Sequence, residues 1–151
     1  MEIRNSVKAI IIKDGKILTI KCVDKLGIFY LLPGGGQKPG ETMIEALKRE
    51  CIEEIGVDVE VHDLKLIREY IGRNHEFSDE DKDIHQIEFM FLCSIKEGEI
   101  PKPGNNPDSF QESIEWIPLK EIEKYRLYPQ SARNILKNLG ENKTIYLGDI
   151  N

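Results

Sequence analysis

The chain has 151 residues, with 21 Lys+Arg against 27 Asp+Glu and a formal net charge of −6. Hydrophobic residues at 40% and charged residues at 32% are the balance of an ordinary globular protein, and this length fits one domain that buries roughly 70% of its unfolded surface without a disulfide or metal staple. The acidic balance argues against a nucleic-acid polymer or an anionic membrane as partner, because both call for a clustered positive field, but a nucleotide held through a divalent cation stays open.

In chain order, Val7 to Ile12 and Lys16 to Cys22 are β-branched-rich runs around Lys13-Asp14-Gly15, a hairpin signal because glycine accepts the positive φ of a tight turn. The apolar run near the start, Ala9 to Ile12, is too short for a signal-peptide core or a bilayer span. A third strand, Ile28 to Leu32, is stopped by Pro33-Gly34-Gly35-Gly36. Thr42 to Ile55 has helical spacing and ends at Gly56, a natural stop. Val57 to Val61 and Leu64 to Tyr70 read as two more strands, and Gly72 to Asp83 as a polar acidic loop. His85 to Ile95 reads as a long strand covered on both faces near Phe89 to Leu92. Gly98 to Pro107 is loop, Ile114 to Ile117 a short strand, and Leu119–Tyr125 and Gln130–Leu139 are predicted helices. Residues 1–140 form the expected single domain of mixed α and β, with 141–151 as a polar tail. Cys22, Cys51 and Cys93 are odd in number and far apart, as expected of reduced thiols in a cytoplasmic protein.

The chemistry is concentrated in GGQKPGETMIEALKRECIEEIGV, from Gly35 to Val57. On a wheel at 100° per residue with Glu50 at zero, Glu54 falls near 40° and Glu53 near 300°, so three carboxylates crowd an arc of about 100°. Ala46 lies among them, at about 320°, and is expected to leave room for a ligand. Met43, Ile44, Leu47, Cys51 and Ile55 form the adjoining apolar stripe that should face the core. Like charges at these spacings repel, a hard divalent cation would relieve them, and all-oxygen donors suit Mg²⁺ or Mn²⁺. Arg49, four residues before Glu53, can orient it by a hydrogen bond.

Two look-alikes fail on spacing. A P-loop would need Lys where Glu41 stands. Asp79, Asp81 and Asp83 mimic the start of an EF-hand, but Ile84 and Met90 occupy its glycine and glutamate positions. His62, His75 and His85 have no short metal-ligand spacing and read as satisfied polar residues. Phe29, Tyr30, Tyr70 and Phe77 could stack on a nucleobase, with core packing the commoner use of such rings.

The spacing Gly35, Glu41, Arg49-Glu50, Cys51, Glu53-Glu54, Gly56, Val57 resembles the Nudix hydrolase signature. A chance match is on the order of 10⁻⁸ to 10⁻⁷ per chain, too rare to set the resemblance aside. The strand order and the Glu-Trp-Ile-Pro segment at Glu115–Pro118 extend it to about residue 140. The resemblance implies an α/β fold, a Nudix-type α/β/α sandwich with a mixed sheet, that cleaves a nucleoside diphosphate linked to another group with Mg²⁺ or Mn²⁺. It implies metal ligands at Gly35, Glu50, Glu53 and Glu54, with Glu41 and Arg49 supporting. The general base is Glu53 or Glu112, the latter because it precedes Trp116 in a segment that supplies a carboxylate in some relatives. Phe29 and Phe77 are candidate substrate contacts. ADP-ribose or a nucleotide sugar is favoured as substrate, with a MutT-like nucleoside triphosphate pyrophosphohydrolase or a non-catalytic nucleotide-binding domain as alternatives. Many relatives dimerise, which makes a second copy of the chain a candidate partner.

Overall fold

The computed structural model describes residues 1–104, 111–140 and 143–151, excluding the side chains of Gln111 and Glu112. Asp14 and Gly15 both take positive φ, 52° and 74°, and so turn the predicted hairpin between β1 (Ile3–Lys13) and β2 (Lys16–Asp24). β3 (Gly27–Leu31) pairs antiparallel with β2, and the glycine run forms the short strand β4 (Gly34–Gly36) against Ser6–Lys8 of β1. The signature helix is α1 (Met43–Ile55). After it come β5 (Val59–Ile71), β6 (His85–Ile95), β7 (Gln111–Pro118), β8 (Leu127–Tyr128), α2 (Arg133–Lys137) and β9 (Ile145–Asp149).

Among the described residues the strands run β8-β3-β2-β1-β6-β5-β9, with β4 added to β1 and β7 to β2. The sheet is mixed, as expected: β1 runs parallel to β6, β3 to β8 and β5 to β9, and the other pairs are antiparallel. β1 is the hinge of the sheet, since Ile3–Ile11 pair with β6 while Ile12 and Lys13 pair with β2. Alternation along it feeds two cores. Val7, Ala9 and Ile11 pack with Leu47, Cys51 and Ile55 of α1. Ile10 points the other way, to Leu66, Met90, Ile122 and Leu136. In β6, Phe89 and Phe91 meet the first core and Met90 and Leu92 the second, the two-faced cover that the apolar run implied. The three cysteines are free and buried. No helix among the described residues is long and apolar enough to cross a membrane.

Several elements differ from the sequence reading. Val57–Val61 and Leu64–Tyr70 belong to one strand, because bulges at Val61/Leu64 and Leu64/Leu66 let the polar His62-Asp63 pass without ending it. Leu119–Lys124 is a 3₁₀ segment with no side-chain cap, and the last predicted helix is a 3₁₀ turn, Gln130–Ala132, followed by the five-residue α2. Both are too short and poorly capped to sustain a long helical ladder. Residues 145–149, expected within a polar tail, add β9 to β5, and Asp149 fixes the end by accepting from Ile71 N at 2.9 Å.

α1 corrects two helix-face expectations. Ile44, assigned to the core stripe, is 47% exposed in the first turn, whereas Ile55 is covered where Lys102 N and Gly104 N donate to the carbonyls of Ile55 and Glu54. Ala46 is fully buried against the sheet and leaves no ligand space. Thr42 caps the helix reciprocally: its Oγ1 accepts from Glu45 N at 3.1 Å, and Glu45 Oε1 accepts from Thr42 N at 3.2 Å. Thr42→Ala should cost about 1 kcal/mol, read as a lower urea midpoint with an unchanged slope.

Candidate active site

The site begins where β4 passes α1. Gly34 has φ +140°, and a Cβ there would fall 2.0 Å from the Val7 carbonyl oxygen, so only glycine fits. Its N–H donates to Glu54 Oε2 at 3.0 Å. That bond explains how Glu54, 5% exposed, can sit in the middle of the helix face that carries Leu47 and Cys51 rather than at its border. A Cβ at Gly35 would lie 2.7 Å from the Glu50 carboxyl carbon, so the missing side chain is what lets this carboxylate approach the strand. Ser6 Oγ donates to the Gly35 carbonyl at 3.2 Å.

Arg49 gathers the remaining charges. Its Nε and Nη2 donate to the two oxygens of Glu41 at 3.1 and 2.7 Å, and Nη2 also donates to the Gly36 carbonyl at 3.0 Å. Nη1 donates to Glu50 at 3.0 Å and to Glu53 at 3.4 Å. Glu41, not Glu53, is therefore the principal partner. The Arg49 guanidinium, with the Lys38 N–H, holds the Glu41 carboxyl down at about 2, and Glu41 in turn pushes the Arg49 pKa up.

The structure thus brings Gly35, Glu41, Arg49, Glu50, Glu53 and Glu54 together. The donor set is all oxygen, in keeping with a hard divalent cation. Among the described residues no three His, Cys, Asp or Glu side chains already converge in ligating geometry: Glu50 and Glu53 are turned to Arg49, and Glu54 to Gly34. The backbone of Glu112 lies in β7, and its side chain lies outside the described residues.

Phe29 and Phe77 lie elsewhere, on the walls of a cleft of about 950 Å³ that no residue of α1 lines. Both rings meet Tyr128 edge-on, at 6.1 and 5.8 Å between centroids. Arg126 stacks on Phe29 and Tyr128 and is locked by a two-point pair with Asp24 at 3.0 and 2.8 Å. Tyr30 is buried in the second core, whereas Tyr70 reaches the cleft, its hydroxyl donating to Asp81 at 2.6 Å. The acidic segment after Tyr70 is an anchored wall, since Asn74 and His75 also bond Asp149 at 2.9 and 2.6 Å. His62 and His85 bond Ser94 and Glu69, as satisfied polar residues should.

Sequence reasoning missed Arg126, Tyr128 and the floor residues Arg4, Lys8, Arg68 and Glu88. A signal existed for the last pair. Arg68 and Glu88 stand two residues from the buried Leu66 and Met90, at inward positions of their strands, where an apolar residue belongs.

A glycine strand pressed against a helix of clustered glutamates, held by one arginine, is the frame of a phosphoanhydride hydrolase. The NUDIX domain model matches residues 2–139, and the chain belongs to that family; it is a Nudix hydrolase. The nucleoside triphosphatase NudI of Salmonella heidelberg (strain SL476) is 32% identical over 132 residues, which cover 84% of this chain and 90% of that protein. The protein of the same name from Enterobacter sp. (strain 638) is 36% identical over 98 residues, 62% of this chain and 70% of its own. In fold, the chain is similar to the MutT NUDIX hydrolase from Burkholderia pseudomallei, with TM-score 0.70 and 24% identity over 92% of this chain and 98% of that one. An ADP-ribose pyrophosphatase from Streptococcus suis 89-1591 has TM-score 0.65 and 18% identity, over 97% and 98% of the two chains. Nudix hydrolases generally use divalent metals and act on small nucleotide substrates.

The Glu41–Arg49 pair gives a pH signature. Because folding lowers the Glu41 pKa from 4.5 to about 2, its stabilisation is complete above about pH 4.5 and is lost as the pH falls to about 2. Melting curves of Glu41→Gln and the parent chain should therefore differ at pH 7 and converge toward pH 2; an equal gap at both ends would remove this pair as the cause.

Proposed function

We infer that the protein hydrolyses, with a divalent metal, the phosphoanhydride of a nucleoside diphosphate linked to a further group. The observation that supports this most is the complete glutamate set of α1 packed against Gly34–Gly36, which also favours an enzyme over a non-catalytic nucleotide-binding domain. Glu50, Glu53, Glu54 and the Gly35 carbonyl would hold Mg²⁺ or Mn²⁺. Such a cation, when bound, neutralises the anhydride, polarises phosphorus and acidifies the attacking water. Glu54 is the fixed member of the set, seated by the Gly34 N–H. Glu53 is the freer one, its side chain 30% exposed against 15% for Glu50, and is the helix residue suited to take the proton from water. Arg49 orients both Glu50 and Glu53, and its pairing with Glu41 keeps it in position. Glu112 is the second candidate base.

Two substrate types have support. Likeness to nucleoside triphosphatases over most of both chains favours a nucleoside triphosphate, cut to monophosphate and pyrophosphate. The breadth of the cleft, with Phe29 and Phe77 on its walls, favours ADP-ribose or a nucleotide sugar; ADP-ribose would yield AMP and ribose 5-phosphate. We put the triphosphate first, ahead of the ADP-ribose that the flanking segments suggest. Three buried free thiols support a cytoplasmic location.

The test is a hydrolysis screen over nucleoside triphosphates, ADP-ribose, nucleotide sugars and dinucleoside polyphosphates, with Mg²⁺ and with excess chelator. One group should be cleaved, only with metal, and Glu53→Gln or Glu54→Gln should each cost about two orders of magnitude or more. Glu112→Gln separates the two bases: a loss of that size assigns the role to Glu112, and a loss under about threefold removes it. Survival of every substrate would overturn the enzymatic reading.

A further inference from the structure

The floor of the cleft carries charge that the hydrolytic site leaves unassigned. It is the continuation of the second core along β1, β5 and β6, where apolar residues give way to Lys8 and Arg4, to Arg68 and Tyr70, and to Glu88 and Gln86. Strand register sets Arg68 opposite Glu88, and Arg4 beside Gln86. Arg68 and Glu88 are 6% and 5% exposed, and Arg68 Nε donates to Glu88 Oε1 at 2.6 Å. A buried pair of this kind is poor value as stabilisation, because desolvating both charges offsets their attraction and apolar residues would serve as well. Burial raises the Glu88 carboxyl, yet Arg68, Lys8 and Arg4 together outweigh it and hold the group below its ordinary range.

Three cations therefore face one carboxylate. Arg68 is occupied, since its Nη1 also donates to the Ile150 carbonyl at 2.7 Å and to Asn151 Oδ1 at 3.2 Å. Arg4 and Lys8 are not: neither has a carboxylate within ion-pairing distance among the described residues, and Lys8 Nζ reaches only the Leu32 carbonyl, at 3.5 Å. Arg4 is exposed and lies against β4, where a Cβ on Gly36 would fall 2.2 Å from its Nη2. Gly35 gives its missing Cβ to the Glu50 carboxylate on one side of the strand, and Gly36 gives its own to the Arg4 guanidinium. Across the molecule the order is carboxylates, glycine strand, free cations, aromatic wall.

We propose that Arg4 and Lys8 form the phosphate site of the cleft, holding the phosphate that stays on the nucleoside when the anhydride is cut, with the nucleoside toward Phe29, Phe77 and Tyr128. This rests on the hydrolase reading above. The planar guanidinium of Arg4 makes the directional contact, two parallel N–H donors on one phosphate, and Lys8 adds a point charge from deeper in the floor.

Calorimetric titration of the full chain with AMP, GMP, CMP and UMP, and with the matching nucleosides, tests the site without divalent metal and so without turnover. At least one monophosphate should bind more tightly than its nucleoside. Arg4→Gln should remove about tenfold or more of that affinity, Arg4→Lys should restore part of it, and Lys8→Gln should give a smaller loss. Nucleoside binding should stay unchanged. The exposed position of Arg4 keeps its variants folded, which circular dichroism checks. The proposal is overturned if no monophosphate binds better than its nucleoside, or if both glutamine variants keep affinity within about twofold. Arg4-dependent binding without cleavage of any anhydride would sink the hydrolase reading and leave the phosphate site standing. Cleavage with unaltered binding in both glutamine variants would do the reverse.

Discussion

One guanidinium holds the hydrolytic site together. Glu41, Glu50 and Glu53 would repel one another at the spacing that α1 and its preceding loop impose, and Arg49 contacts all three while also donating to the Gly36 carbonyl. The fourth carboxylate, Glu54, accepts from a backbone N–H, that of Gly34. Two different solutions to crowded negative charge thus converge on β4, where the strand runs closer to helix and sheet than a side chain would permit. The capping box at Thr42 and the closure of the last turn by Lys102 and Gly104 hold the helix that presents these groups.

β4 is also a partition. Successive residues of a strand face opposite ways, and the glycine run uses this to set an acidic surface and a basic one back to back. Glu50 presses on Gly35 from the α1 side, and Arg4 presses on Gly36 from the cleft side. A polyphosphate chain crossing this strand would meet carboxylates on one side and cations on the other. The acidic net charge of the whole chain does not forbid this, because the clusters of each sign are separated by only one thickness of backbone.

What the sequence disclosed was local. The signature occupies 23 consecutive residues, its chemistry follows from spacing on one helix, and the hairpin at Asp14-Gly15 needs only its own turn residues. The mixed sheet and the gathering of the glutamates could be anticipated on that basis. The depth of Glu54 could not, since the wheel gives its angle but not the strand that covers it. Ile44 fails for the converse reason: an apolar residue in the right sector is buried only if something packs over that turn. The cleft escaped notice because its floor comes from β1, β5 and β6, and its aromatic wall joins Phe29, Phe77 and Tyr128 across about a hundred residues of chain. β9 was hidden by its polarity, which suits a strand at the edge of a sheet, where one side faces solvent.

The polar floor also shows where fold and function part company. The two cores are alternating faces of the same strands, and the second could have continued as an apolar surface to the end of the sheet. It stops instead at Lys8, Arg68 and Glu88, where two buried charges replace the residues that pattern alone would require. Natural proteins break their own pattern mainly at functional or strained sites. The Arg68 pair holds Glu88 in place on the floor, and the bonds from Arg68 to Ile150 and Asn151, just past β9, hold Arg68 in turn. A rigid, paired floor flanked by two cations without a carboxylate partner favours a ligand that brings anionic oxygens to Arg4 and Lys8 and an apolar body to the aromatic wall.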